Sequence, residues 1–292
     1  MRVPVLVSPD AGRGGAATAS AAVMSALRAL GAEPDDITGS NATESLAAAC
    51  AEVSSGAERL IVVGGDGLVN LGLQAVAASP TILGVVPVGT GNDFVRGIAG
   101  FETRLESAVA QALHDPVELD AIRTNHGWVA SVATAGFSGD VNSRANKLRW
   151  PSGPNRYSVA TMLELPRLKS RNVTLDLDGK IHELRATLIA VGNTAWFGGG
   201  MQICPSADPS DGMLEVTVVE DVGRVEMLRF FGKVFKGTHL EHSKVSTFRG
   251  HEICIESPDL ELWGDGELLG SAPAELVARP GALRLAMPGI AR

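Results

Sequence analysis

Cysteine is scarce in this chain of 292 residues: there are three, Cys50, Cys204 and Cys254. They are far apart, odd in number and without the spacing of metal ligands. That argues against a disulfide framework and for small buried hydrophobes in a reducing compartment. Long apolar runs are missing as well. None approaches the ~20 residues a helix needs to span a bilayer. The apolar stretch at 3–7 is too short for the core of a signal peptide and reads as a strand. The expected compartment is the cytoplasm, with peripheral contact at the inner membrane face left open. Positive charge is in deficit, 25 Lys and Arg against 33 Asp and Glu, for a net charge of −8. A nucleic-acid partner needs a basic face to neutralise phosphates, so none is expected, although an acidic total leaves room for a local basic patch that meets a membrane. There is no internal repeat and no low-complexity linker. What remains is 45% hydrophobic and 20% charged, the composition of a globular protein long enough for two domains.

The stretch Leu60-Ile61-Val62-Val63-Gly64-Gly65-Asp66-Gly67-Leu68-Val69-Asn70 organises the chain. Its apolar run does not alternate, which suits a strand buried on both faces of a parallel sheet. Three glycines within four residues stop the strand, and helical spacing resumes at 69–78. A bare glycine turn opening a helix can hold phosphate, because unpaired N–H groups and the positive end of the dipole face the anion. An ordinary tight strand-to-helix connection has the same look. A second turn of this kind follows the apolar strand at 82–86, in Pro87-Val88-Gly89-Thr90-Gly91-Asn92-Asp93-Phe94. Two such turns after consecutive strands would sit side by side at the carboxyl edge of one sheet, where open α/β sheets bind ligands. The carboxylate of Asp66 would not favour a phosphate; it is suited to a metal ion, a water or the turn itself.

The rest of the first hundred residues repeats strand and helix in units of about 25 residues, the rhythm of parallel βαβ. A strand at 3–7, a loop at 8–15, a helix at 16–30 ended by Gly31, a short strand at 36–38 and a helix at 42–53 are expected. Ser40 and Asn41 offer a choice of helix cap, and Asn92 and Asp93 could cap the segment after the second turn. His114-Asp115-Pro116 marks the domain boundary. Beyond it strands are expected at 117–123, 128–135, 173–178, 181–191, 213–220, 252–256, 260–263, 275–278 and 283–287, with helices near 141–147 and 157–165. Asp178-Gly179 is a hairpin signal, and many strands joined by short turns indicate an antiparallel sandwich or barrel.

The two turns, Gly64-Gly65-Asp66-Gly67-x-x-Asn70 and Gly89-Thr90-x-Asn92-Asp93-Phe94, make the chain resemble the catalytic domain of diacylglycerol kinases. Within that superfamily it is most similar to the soluble bacterial lipid kinases. The resemblance implies an α/β N-terminal domain with a parallel sheet (residues 1–116) that holds ATP. It also implies a C-terminal antiparallel β-sandwich domain (residues 117–292), with the last residues free to return to the first. It further implies that Ser8, Pro9, Asp10, Ala11, Gly12 and Thr38 lie by the nucleotide, with Gly64, Gly65, Asp66, Gly67, Leu68, Val69 and Asn70, and with Gly89, Thr90, Asn92 and Asp93. Two positions depart from the family: Ser8 stands where Asn is usual, and Leu68 where Thr is usual. On the residues alone Thr38 could equally be a turn or capping residue.

In the second domain Val191-Gly192-Asn193-x-x-x-Phe197-Gly198-Gly199-Gly200-Met201, with Asp208-Pro209-Ser210-Asp211-Gly212-Met213, also resembles the lipid kinases. Carried over, Asp211 would bind Mg2+ through its side chain and Asp208 and Met213 through their carbonyls, a hard-oxygen set of the kind Mg2+ prefers. Without the resemblance, Asp211-Gly212 reads as a turn into a strand. Trp263-Gly264-Asp265-Gly266-Glu267 is by itself a hairpin. The resemblance adds that it closes over the interdomain cleft and supplies the carboxylate that takes the acceptor's proton, Asp265 ahead of Glu267, with Asp66 also catalytic. Leu228, Phe230, Phe231, Val234 and Phe235 lie among Arg229, Lys233 and Lys236. Arg144, Lys147, Arg149, Trp150 and Arg156 form a second cluster. Either could meet anionic headgroups, or the aromatics could be core and the charges a solvated face.

The expected activity is ATP-dependent transfer of the γ-phosphoryl group to a lipid hydroxyl, of diacylglycerol or a related lipid alcohol met at a membrane surface, with Mg2+. A sphingoid-base or other alcohol kinase, a nucleotide-binding regulator without turnover, and a homodimer stay open.

Overall fold

The computed structural model describes residues 1–8, 15–148, 155–258 and 260–289, side chains at 15–19 and 155–158 excepted. The chain forms two compact units, residues 1–121 with 280–292, and residues 122–279.

The first unit runs β1 (Arg2–Val7), α1 (Gly15–Ala29), β2 (Glu33–Asp36), α2 (Ala42–Ser54), β3 (Arg59–Gly64), α3 (Asp66–Val76), β4 (Ile82–Pro87), α4 (Asp93–Arg96), α5 (Leu105–Gln111) and most of β5 (Pro116–Thr124). All six residues of β3 and of β4 are buried. The unalternating apolar runs are thus strands covered on both faces, with β1 and β4 parallel on either side of β3. Each aliphatic side chain so buried contributes about 1.5–3 kcal/mol. The second strand sits at Glu33–Asp36, earlier than expected. There it pairs in parallel with the first half of β1, while Thr38 has already turned away. Asn41 is the cap of α2, accepting from the Glu44 N–H at 2.9 Å.

The second unit continues with β6 (Gly127–Val129), β7 (Val132–Gly136), α6 (Phe137–Lys147), α7 (Asn155–Glu164), β8 (Arg171–Leu177), β9 (Lys180–Gly192), β10 (Trp196–Phe197) and β11 (Met201–Gln202). It is completed by β12 (Leu214–Glu220), α8 (Arg224–Val234), β13 (Val245–Gly250), β14 (Glu252–Glu256), β15 (Glu261–Gly264), β16 (Glu267–Ser271) and β17 (Ala274–Ala286), whose end returns to the first unit beside β4. The spine is β9. It pairs antiparallel with β8 along its first half, and with β7 and β12 along its second. Period-two alternation sorts that second half. Ile189 and Val191 enter one core with Val216, Leu262 and Leu276. Leu188 and Ala190 enter another with Phe137, Val141, Met227 and Phe230 of the covering helices.

Two further strand expectations differ from what forms. Residues 128–135 are two strands rather than one, because the N–H groups of Ala130 and Ser131 leave the ladder for a side chain described below. The two strands expected at 275–278 and 283–287 are one, β17, bending at Gly281 (φ 66°). Finally, β13 and β16 carried no alternation to announce them.

Candidate functional site

In the first unit the two glycine turns do lie side by side. β3 and β4 end in register, Gly64 opposite Pro87, and the Val88 N–H donates to the Gly64 carbonyl at 3.0 Å. A Cβ added to Gly89 would come within 2.4 Å of the Gly65 Cα, so the backbones touch and only glycine fits. No described residue stands within 4 Å of a Cβ placed on Gly67, in the first turn of α3. The first turn of an eleven-residue helix, open above Gly67 and floored by glycine backbone, is a shape and polarity suited to phosphate oxygens.

Asp66 opens α3, and its carboxylate reaches across to the second turn. Oδ1 accepts the Phe94 N–H at 3.3 Å. Burial raises its pKa above the ordinary carboxylate range, opposed by backbone N–H groups of residues 92–94. The bond to Phe94 makes this carboxylate a tie between the two turns. Asn92 is the N-cap of the four-residue α4, in the left-handed conformation (φ 53°), and its side-chain amide donates to the Gly89 carbonyl at 2.9 Å. Thr38 accepts the Val7 N–H on its hydroxyl at 2.8 Å, tying the end of β1 to the loop after β2. The Ser8 N–H donates to the Val63 carbonyl. Leu68 folds back so that a Cβ on Gly64 would meet its side chain at 2.9 Å. Pro9, Asp10, Ala11 and Gly12 lie outside the described residues.

In the second unit Asp265-Gly266 is a two-residue hairpin between β15 and β16, with both residues left-handed (φ 51° and 89°). The Asp265 carboxylate is occupied: Oδ2 accepts the Ala130 N–H at 2.7 Å and Oδ1 the Ser131 N–H at 2.9 Å. Asn193, just past β9, grips the same segment, its side chain donating to the Ala130 carbonyl at 2.9 Å and its backbone to that of Ser131 at 2.8 Å. The molecule uses this device twice. Asp178-Gly179 is a second two-residue turn (φ 51° and 84°), between β8 and β9. The Asp178 carboxylate accepts the N–H groups of His251 and Glu252, and those bonds hold its pKa below the usual range. Glu267, two residues past Asp265, carries no such clamp, and desolvation pushes its pKa up. The sequence could not have separated the two acids, since Ala130 and Ser131 are remote in the chain.

Around Asp211 the donors have internal partners. Oδ1 accepts the Met213 N–H at 2.9 Å and Oδ2 pairs with Arg249. Asp208 Oδ1 accepts from the N–H and hydroxyl of Ser210. Among the described residues no group of three His, Cys, Asp or Glu side chains converges to hold a metal. The Asp211 carboxylate is paired with Arg249, so an ion at this loop would have to displace that arginine. All three cysteines are free, Cys204 fully buried with its thiol pKa pushed up by burial. No described helix is long and apolar enough to cross a membrane. Arg144 pairs with Glu164 at 2.5 Å, while Arg149, Trp150 and the Arg156 side chain lie outside the described residues.

Comparison with known proteins gives the family and the fold. The family model described as the diacylglycerol kinase catalytic domain matches residues 2–124. One described as the YegS C-terminal NAD kinase beta sandwich-like domain matches residues 131–287. A two-part chain of α/β unit and β-sandwich unit is thereby defined, and the chain belongs to the diacylglycerol kinase catalytic-domain family. Diacylglycerol kinase of Mycobacterium tuberculosis (strain ATCC 25618 / H37Rv) is 38% identical over 98% of this chain and 95% of its own length. That of Staphylococcus saprophyticus is 27% identical over 82% and 81%. The crystal structure of a diacylglycerol kinase from Bacillus anthracis str. Sterne matches with a TM-score of 0.75 at 21% identity, over 98% of this chain and 97% of that one, a likeness of fold.

Proposed function

We propose that the protein is an ATP-dependent lipid kinase that transfers the γ-phosphoryl group to the hydroxyl of diacylglycerol or a related lipid alcohol. The observation that carries this reading is the open first turn of α3 above Gly67, floored by the abutting Gly65 and Gly89. In phosphoryl transfer the acceptor oxygen bonds to the γ-phosphorus, the bond to the bridging oxygen breaks, and ADP leaves with the electron pair. The acceptor's proton needs a base. Glu267 suits the task better than Asp265, since its carboxylate is not held by backbone N–H groups and its raised pKa strengthens it as a base. Asp66 holds the two turns in place rather than touching the acceptor. Mg2+ would neutralise developing charge on the phosphates. The separate, structural Mg2+ that the family resemblance assigns to Asp211 with the carbonyls of Asp208 and Met213 asks Arg249 to give way, so no step is drawn through that loop.

The test is ADP formation coupled to NADH consumption, with diacylglycerol in mixed micelles, with sphingosine, and without lipid. Diacylglycerol-dependent turnover that falls in Gly67→Ala, while its folding stays intact, supports the reading. Sphingosine-dependent turnover alone moves the acceptor to the sphingoid bases. ATP binding without turnover on any lipid leaves a regulator, the reading favoured by Leu68 and Ser8 at positions where the family carries Thr and Asn.

A further inference from the structure

The helix α8 has two unlike faces. Met227, Phe230 and Val234 are buried at spacings of three and four, and Phe231 packs edge-on against Phe137. The opposite face exposes Val225 (65%), Leu228 (40%) and, one residue past the end of the helix, Phe235 (50%). Spacings of three and seven put these three on one stripe. They are three of the larger hydrophobic side chains the described surface leaves in water. Beside the stripe lies a hollow of about 550 Å³, lined by Arg224, Arg229, Lys233, His242 and the Glu226 side chain. Glu226 is already paired with Lys244 at 3.0 Å. Over residues 224–236 four cations, with Lys236, therefore stand against one satisfied carboxylate, in a chain whose net charge is −8.

We infer that this face is where the protein docks on an anionic lipid surface: Val225, Leu228 and Phe235 enter the acyl boundary, and a headgroup phosphate sits in the hollow against Arg229 and Lys233. Apolar side chains flanked by cations are the pattern of helices that lie in the membrane interface. The local reversal of charge sign says which surface, because each Lys or Arg near an anionic leaflet strengthens binding about fivefold. This names the partner surface of the proposed lipid kinase and rests on that reading only for its biological sense, since binding to vesicles is measured without turnover.

Co-sedimentation of the full chain with phosphatidylglycerol-containing vesicles, against vesicles of phosphatidylcholine alone, decides it. Wild type is expected to bind the first and not the second. Leu228→Ser with Phe235→Ser, and separately Arg229→Glu with Lys233→Glu, should each lower partitioning at least about tenfold while leaving thermal unfolding unchanged, since all four side chains lie off the core face. The same variants should keep turnover on a micelle-dispersed acceptor and lose it on an acceptor embedded in vesicles. Equal partitioning of wild type and variants, or no preference for the anionic vesicles, overturns the inference. So does a dimer that Phe235→Ser dissolves while vesicle binding persists. Absence of turnover in every format would sink the kinase reading and leave the vesicle result standing.

Discussion

Replacing Asp265 by Asn tests whether this residue is a base or a clamp. Asn is close to Asp in volume and tolerates the left-handed conformation at φ 51°, so the hairpin is preserved. What changes is the pair of bonds to the Ala130 and Ser131 N–H groups at 2.7 and 2.9 Å. The amide keeps one acceptor oxygen and turns an NH2 toward the other donor. A hydrogen bond to a charged group is worth about 1.5–3 kcal/mol, and stranding a partly buried N–H adds to the loss. A cost of about 2–3 kcal/mol is expected, which corresponds to roughly 4–12 °C in Tm for a domain of this size. Glu267→Gln should cost under about 0.5 kcal/mol, as surface substitutions do, yet lower kcat about 10²–10⁴-fold if its carboxylate takes the acceptor's proton. Calorimetry and steady-state kinetics on both variants therefore give opposite patterns. If Asp265→Asn melts like the wild type and loses kcat, while Glu267→Gln keeps both, the clamp reading is wrong and the base is Asp265.

The remaining expectations are independent of that pair. Because desolvation of its carboxylate raises the pKa of Glu267, although the residue lies at the surface, and a base must be ionised, kcat/KM should climb with pH along an acid limb displaced above the ordinary carboxylate range; a limb at or below that range removes Glu267 from the role. Asp66→Ala deletes the acceptor of the Phe94 N–H, so a loss of about 0.5–2 kcal/mol with weakened ATP binding and lost turnover is expected, and wild-type-like turnover would refute it. The depressed pKa of Asp178 means its bonds stabilise the fold above the unfolded-state pKa and fade as pH falls through the folded one; Asp178→Asn should melt earlier near neutral pH and converge with the wild type in acid, and a constant gap would contradict that. If an ion displaces Arg249 from Asp211, Mg2+ should raise the Tm of the wild type and not of Asp211→Asn, whereas identical responses remove the metal from this loop.

Much of the fold was legible because its signals are local. Largely β-branched runs at 60–63 and 82–86, without alternation, suited strands covered on both sides, and all of them are buried. Three glycines after the first strand and two after the second gave the paired turns, and Asp-Gly dipeptides gave both hairpins. The identity of the partners was not local. That Asp66 spans to residue 94, that Asp265 clamps residues 130 and 131, and that Arg249 occupies Asp211 are contacts between segments 28 to 135 residues apart. A carboxylate reads the same in sequence whether it holds a backbone N–H, an arginine or a proton in transit. Likewise the composition of residues 224–236 fits either core or surface, and only the packing of Phe230 and Val234 against the sheet turned Val225, Leu228 and Phe235 outward. Periodicity determined which elements form, because it is set by each residue's own geometry. Tertiary packing decided which side chains stay free to act, because that depends on who arrives from elsewhere in the chain.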